Sequence, residues 1–249
     1  MSTLHEQWIA RRRKLTKDIG SKVLWPLEQR LGRESIVGDS AIVARENFPW
    51  LWYLEHNTSH IQADLETLLA QRERLPLFHE LSPDQRSISR DDRWKTYFFR
   101  GFGYDSNDCQ KRCPNTTQVL RNIPGLVTAF FSILAPGAHI PRHRGVFKGL
   151  LRVHLGLKVP KGDGCRMWLD GNMLHWKEGE ALVFDDTRPH EVWNATEQER
   201  VVLLMDIIRP LRAPTAWLNQ ALLKAIALSP YVGEGRRNAL NWERAMAGR

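Results

Sequence analysis

With 249 residues, 42% of them hydrophobic and 26% charged, and ten tryptophans to bury, the chain has the length and composition of one large folded domain with terminal additions, which excludes disorder. Its 36 Lys and Arg against 28 Asp and Glu leave a net charge of +8, a bias towards anionic substrates, membrane surfaces or nucleic acid. It carries no aromatic-basic ribonucleoprotein signature, no paired Cys and His motifs at zinc-finger spacing and no glycine-rich phosphate loop, so nucleic-acid binding would rest on charge alone and is not expected.

In chain order, residues 4–31 put Leu4, Trp8, Leu15, Ile19 and Val23 on roughly one helical face, with Arg11, Arg12, Arg13, Lys14, Lys17 and Lys22 around the rest. This predicts a basic amphipathic helix that docks on the domain or touches an anionic membrane surface. The opening residues hold no apolar run long enough for a signal peptide, and no later segment is long and uncharged enough to span a bilayer. A cytoplasmic chain with at most peripheral membrane contact is therefore expected. Gly32 to Asp39 reads as a connector, and Ile61, Leu65, Leu68 and Leu69 recur at helical spacing within His60 to Leu75. Glu80 to Arg93, with Ser82-Pro83-Asp84, reads as a loop, and the aromatic-rich Trp94 to Gly103 as a strand. Cys109 and Cys113 lack the second pair that a tetrahedral zinc site needs. With Cys165 the cysteines are odd in number and few, which suits a reducing compartment and structural roles.

From Leu126 to Pro210 short β-branched runs alternate with Pro, Gly and Asp clusters: Val127 to Leu134, Leu150 to Val159, Cys165 to Leu169, Ala181 to Phe184 and Val201 to Ile208. This predicts a β-sandwich or barrel. After Pro214 a stripe of Trp217, Leu218, Ala221, Leu222, Ala225 and Ile226 predicts a helix ending near Pro230, and Gly233 to Arg249 reads as a polar, mobile tail. The division expected is a basic helical extension over 1–47, a mainly β domain with flanking helices over 48–210, and a helical extension over 211–249.

Three histidines concentrate in the β-region: His143 in Pro-Arg-His-Arg-Gly, His154 in Leu-Arg-Val-His-Leu, and His190 in Asp-Asp-Thr-Arg-Pro-His-Glu-Val. Neutral imidazoles are what iron(II) oxygenases need, usually two with a carboxylate on one face of the metal, and His143 and His190 are the candidate ligands. Arg152 and His154 lie two apart, so on a strand they share a face and enter one pocket. Lys95, Arg142, Arg144 and Lys148 are candidate substrate-facing cations. Asp185 and Asp186 sit where they would orient a metal-ligand turn, and Trp176, Phe184 and Trp193 read as core or pocket wall.

These segments resemble the aspartyl/asparaginyl β-hydroxylase family, a branch of the 2-oxoglutarate oxygenases, from Phe48 to Pro210. The likeness is strongest in Phe131-Ser-Ile-Leu-Ala-Pro-Gly-Ala-His-Ile-Pro-Arg-His-Arg-Gly145, Leu151-Arg-Val-His-Leu-Gly-Leu157, Trp176 to Trp193 and Arg200-Val-Val-Leu-Leu-Met-Asp206. The resemblance implies a double-stranded β-helix, a cupin-like jelly roll, using iron(II), 2-oxoglutarate and O2. It places the metal on His143 and His190, the distal carboxylate of 2-oxoglutarate on Arg200 and Ser132, and the metal-side carboxylate near Arg152 and His154. Most related oxygenases carry a carboxylate two residues after the first histidine, where this chain has Gly145. The family's animal β-hydroxylases share that glycine and its lipid A acyl-chain hydroxylases carry aspartate. The implied reaction is therefore hydroxylation of an unactivated carbon, first of an aspartyl or asparaginyl side chain in a peptide, protein or amino-acid-derived metabolite. The alternatives are a lipid A acyl chain, or a non-catalytic cupin-like binding protein.

Overall fold

The computed structural model describes residues 25–89 and 91–247. The expected basic helix over residues 4–31 therefore lies mostly outside the described residues; residues 25–33 are helical.

Among the described residues ten strands form two facing antiparallel sheets: β1 (Trp94–Gly101), β2 (Tyr104–Asp105), β3 (Leu126–Leu134), β4 (Ala138–His143), β5 (Leu150–Lys158), β6 (Cys165–Leu169), β7 (Asn172–Leu174), β8 (Ala181–Phe184), β9 (His190–Asn194) and β10 (Arg200–Ile208). The larger sheet runs β2-β1-β3-β10-β5-β8 and the smaller β4-β9-β6-β7. From β3 onward the pairs nest, β3 with β10, β4 with β9, β5 with β8 and β6 with β7. A long hairpin wound in this way gives the double-stranded β-helix expected from the sequence.

The period of two along each strand sorts the side chains. On β10, Val201, Leu203, Met205 and Ile207 face outward and pack under the helices Leu51–His56, Thr58–Leu69 and Pro114–Leu120, while Val202 and Leu204 face the inter-sheet core with Met167, Phe184 and Val192. Ser132, Arg152, His154 and Arg200 follow the inward phase of β3, β5 and β10. Both faces of these strands are buried, so they read as continuous apolar runs.

The terminal segments close one end of the barrel. Leu31 of the first helical segment packs with Phe147, Leu150, Leu211 and Leu223, and the helices Thr215–Ala227 and Pro230–Ala247 lie alongside. The second of these replaces the expected mobile tail. Ala239 is buried, the Trp242 indole donates to the carbonyl of Arg74, and the buried Glu243 accepts hydrogen bonds from Ser106 and Tyr104. The expected loop Glu80 to Arg93 starts inside the short helix Phe78–Leu81 and contains the 3-10 turn Pro83–Gln85. All three cysteines are free and buried, and burial pushes the Cys109 and Cys113 thiols up to about 12. No described helix is long and apolar enough to cross a membrane.

Candidate active site

β4 ends on His143 and β9 opens on His190, and the smaller sheet pairs these two residues directly, bringing their ring centroids to 4.1 Å. Each ring is turned by its own backbone: His143 Nδ1 lies 2.9 Å from the carbonyl of Pro141 and His190 Nδ1 2.9 Å from that of Arg188. A carbonyl only accepts, so each Nδ1 carries the proton and each Nε2 presents a lone pair. Burial lowers the pKa of His143, and burial together with the neighbouring His143 brings His190 down to about 3. Two adjacent neutral imidazoles with free Nε2 atoms fit a borderline divalent metal such as iron(II).

Among the described residues no third His, Cys, Asp or Glu completes a cluster with them. The space that a side chain at position 145 would take is nevertheless filled: a Cβ built on Gly145 would fall 2.2 Å from Asp186 Oδ2 and 2.3 Å from its Cγ. Asp186 is fixed there by Arg152 Nη2 at 2.9 Å and by a hydrogen bond from the Gly145 amide to its carbonyl. Burial raises its pKa to about 6 against the pull of Arg152. Glycine at 145 thus accommodates a carboxylate coming from the β8–β9 turn, a relation invisible in the sequence.

The same turn is anchored from behind. Asp185, fully buried, meets Arg209 at 2.7 Å and Lys148 at 3.0 Å, and accepts hydrogen bonds from the Thr187 amide and hydroxyl. Burial acts to raise its pKa, but Arg209, Thr187 and Lys148 outweigh it and the net shift is downward. Replacing Asp185 with Asn would leave the buried Arg209 without its carboxylate and Lys148 with Asp39 alone. We expect a loss of about 3–5 kcal/mol of folding stability, read as a lower midpoint in urea unfolding. A loss below about 1 kcal/mol would show that the turn is held by other contacts.

Deeper between the sheets lies a second polar group. Arg200 is 1% exposed and has no carboxylate partner among the described residues; its guanidinium carbon sits 4.6 Å over the Trp176 ring, and Nη1 makes only long contacts of 3.4–3.5 Å with Ser132. Its Nε is unpartnered, and burial lowers its pKa to about 10. The Ser132 hydroxyl accepts from Trp94 at 3.0 Å. Trp176 also donates to His154 Nδ1 at 3.2 Å, which leaves the proton on His154 Nε2, a buried donor with no partner. Burial and then Arg200 hold the His154 pKa well below its usual value. A guanidinium that has the Cys165 thiol and Ser132 beside it but no carboxylate, a hydroxyl and an orphaned imidazole N–H facing the same interior fit a small carboxylate ligand such as 2-oxoglutarate.

The other expected cations behave differently. Arg152 does share the inner face of β5 with His154, but Nε binds Asp206 at 2.9 Å and Nη2 binds Asp186. Burial would lower its pKa, yet the two carboxylates outweigh it and raise it. Lys148 is buried between Asp39 and Asp185, so it faces no substrate. Lys95 points away from the interior, onto the carbonyls of Arg72 and Glu73, and Arg142 stacks on Trp168. Of the four, Arg144 lines the cavity in front of His143, and it is tied to Glu28 and the Thr187 carbonyl. That cavity, about 480 Å³, is walled chiefly by apolar groups including Phe78, Phe98, Phe130, Phe147, Leu150 and Leu204.

Three depressed histidines make the protein acid-sensitive. In the unfolded chain they take up protons near pH 6.5, whereas in the fold burial shifts all three downward, His190 to about 3. The unfolded state therefore binds more protons below pH 6.5, and stability, complete above that pH, falls as the pH drops. His190 alone, neutral in the fold down to about 3, should cost the metal-free protein about 2 kcal/mol between pH 7 and 5, measurable as a fall in melting temperature. His190→Gln should reduce that fall; an unchanged fall would place the acid sensitivity elsewhere.

The aspartyl/asparaginyl β-hydroxylase family model matches residues 55–210. An ornithine lipid ester-linked acyl 2-hydroxylase from Rhizobium tropici is 41% identical over 92% of this chain and 82% of that protein. The human aspartyl/asparaginyl β-hydroxylase is 29% identical over 53% of this chain, which spans only 18% of that protein's length. Among solved structures, a Pseudomonas putida prolyl-4-hydroxylase matches with a TM-score of 0.39 and 22% identity over 61% of this chain and 87% of that one. The family match takes in the paired histidines, the carboxylate lodged against Gly145 and the buried arginine, and the chain belongs to the aspartyl/asparaginyl β-hydroxylase family.

Proposed function

We propose that the protein is an iron(II)- and 2-oxoglutarate-dependent oxygenase that hydroxylates a lipid acyl chain, at the carbon next to the ester carbonyl. The observation that carries this reading is the apolar cavity in front of His143. An aspartyl or asparaginyl side chain lodged there would lose its hydration with little to replace it, whereas an acyl chain gains by leaving water. The cations nearest the histidines are already committed, Arg152 to Asp186 and Asp206 and Arg144 to Glu28. Similarity to the ornithine lipid hydroxylase supports the same substrate class. Gly145 pointed to the amino-acid branch, but the cavity lining and that similarity weigh more than one residue.

In this reading His143 and His190 hold iron(II) through Nε2, with their tautomers set by Pro141 and Arg188. Arg200 and Ser132 would hold the distal carboxylate of 2-oxoglutarate, and His154 Nε2 would donate to its other carboxylate. Iron, 2-oxoglutarate and O2 together supply the oxidising power that puts a hydroxyl on an unactivated carbon. The protein's part is placement. Arg152 holds Asp186 beside Gly145, and the aromatic walls align the acyl chain and keep water from the reacting carbon. Arg200, buried without a carboxylate, also opposes a reading as a simple metal-binding protein, because a buried guanidinium with no anion costs stability and a metal site alone has no use for it.

The test is anaerobic titration with iron(II) and 2-oxoglutarate, followed by air in the presence of an ester-linked acyl lipid or an aspartyl peptide. A 2-hydroxyacyl product with matching succinate is expected from the lipid alone. Hydroxylation of the peptide in place of the lipid, or no binding of iron and 2-oxoglutarate, would overturn the assignment.

A further inference from the structure

The helix Thr215–Ala227 is turned the wrong way for a helix that ends its burial at the domain surface. Its buried positions are Thr215, Asn219 and Leu223; Asn219 donates to the Gly149 carbonyl at 2.9 Å and Thr215 accepts from Arg30 at 3.1 Å. The apolar stripe legible in the sequence is largely outside: Trp217, Leu218, Ala221 and Ala225 are exposed, as is Leu228 just past the helix end. Trp217 is 68% and Leu228 87% exposed, values that an aqueous surface makes costly for side chains of this size.

The stripe adjoins the cavity. Leu222 and Ile226, between the stripe and the buried face, line the cavity, and so does Tyr231 at the start of the next helix. The exposed surroundings are basic: Lys224 lies within the stripe, Arg212 precedes the helix, and Arg236 lines the cavity mouth. An apolar strip bordered by cations, in a chain of net charge +8, matches an anionic lipid surface in both hydrophobicity and charge.

We propose that this face docks on an anionic lipid bilayer, with Trp217 and Leu228 set into the interface. An acyl chain then passes between Leu222, Ile226 and Tyr231 into the cavity without crossing water. The identity of what enters rests on the acyl-hydroxylase reading; the docking stands on the exposed stripe and its charge.

The full chain and its Trp217→Ser/Leu228→Ser variant are sedimented with phosphatidylcholine vesicles, with and without phosphatidylglycerol, at low and high salt. The wild type should bind the anionic vesicles, less at high salt, and the variant should partition about tenfold or more weakly. Both should turn over a water-soluble short-chain acyl ester equally. Equal vesicle binding by the two proteins, or a wild type that stays in solution with both vesicles, overturns the docking. So does a wild-type dimer that the substitutions convert to monomer with no vesicle binding, since the stripe would then be a contact between copies. Vesicle binding through the stripe without hydroxylation of any acyl substrate would sink the acyl reading and leave the docking intact. Turnover of the soluble ester without vesicle binding would do the reverse.

Discussion

Replacing His143 or His190 with alanine is expected to abolish iron binding and to take 2-oxoglutarate-dependent turnover below detection. The effect should lie well beyond the ~10–100-fold loss that follows removal of an outer supporting partner. Among the described residues the two imidazoles form no larger metal-ligating cluster, so each variant removes half of the side-chain donors proposed for the metal. The backbone carbonyls of Pro141 and Arg188 hold each ring independently, so one substitution leaves the other ring in place. Far-ultraviolet circular dichroism should stay that of the wild type at pH 7, because a neutral imidazole with one backbone hydrogen bond contributes only about 1 kcal/mol. The measurement is anaerobic iron(II) titration of each variant. Wild-type affinity in either one would move the metal away from this pair.

How far the sequence revealed this centre depended on which sheet carried each residue. The strands of the larger sheet were legible because the outer helices and the inter-sheet core bury both of their faces, which makes β3, β5 and β10 near-continuous apolar runs. The smaller sheet was harder. β4 contains Pro141 and alternates with exposed His139 and Arg142, β7 is three residues long, and β9 begins directly after Pro189. Propensity reads such segments as turns, yet they bring His143 and His190 together. The histidines were found through motif resemblance, since the register that pairs them is set by long-range contacts.

The charged residues show the same limit. Strand alternation correctly put Arg152 and His154 on one face, but it says nothing of which acids sit opposite. Asp206 meets Arg152 because β10 and β5 run antiparallel in a register that pairs the two residues directly, and Asp186 arrives from the β8–β9 turn. Lys148 read as a substrate-facing cation and is an interior one, held by Asp39 and Asp185 from two distant segments. In the helix Thr215–Ala227 periodicity identified the apolar stripe, but its outward orientation is fixed by Asn219 on Gly149 and by the packing of Leu223. A hydrophobic stripe locates a face that avoids water; it does not say whether protein or lipid covers it.

Arg200→Met should change two properties in opposite directions. The concentration of 2-oxoglutarate needed for half-maximal turnover is expected to rise by about 10²-fold or more, since removing one member of a buried charge pair costs about 2–5 kcal/mol of binding. The metal-free protein without cosubstrate should meanwhile keep or gain stability. In that state Arg200 is a buried cation whose Nε has no partner, and burial pulls its pKa down to about 10 against the opposing pull of the Cys165 thiol. Methionine retains much of the volume against Trp176 while removing the charge, the kind of exchange that is neutral or stabilising when the cation is unpaired. Two measurements separate this from a structural role: the urea midpoint without ligands, and the 2-oxoglutarate dependence of succinate release. If Arg200 serves the fold alone, the midpoint falls and the cosubstrate requirement does not move. If it is the anion anchor, the requirement rises steeply while the midpoint holds, because the favourable partner of this guanidinium is a ligand carboxylate.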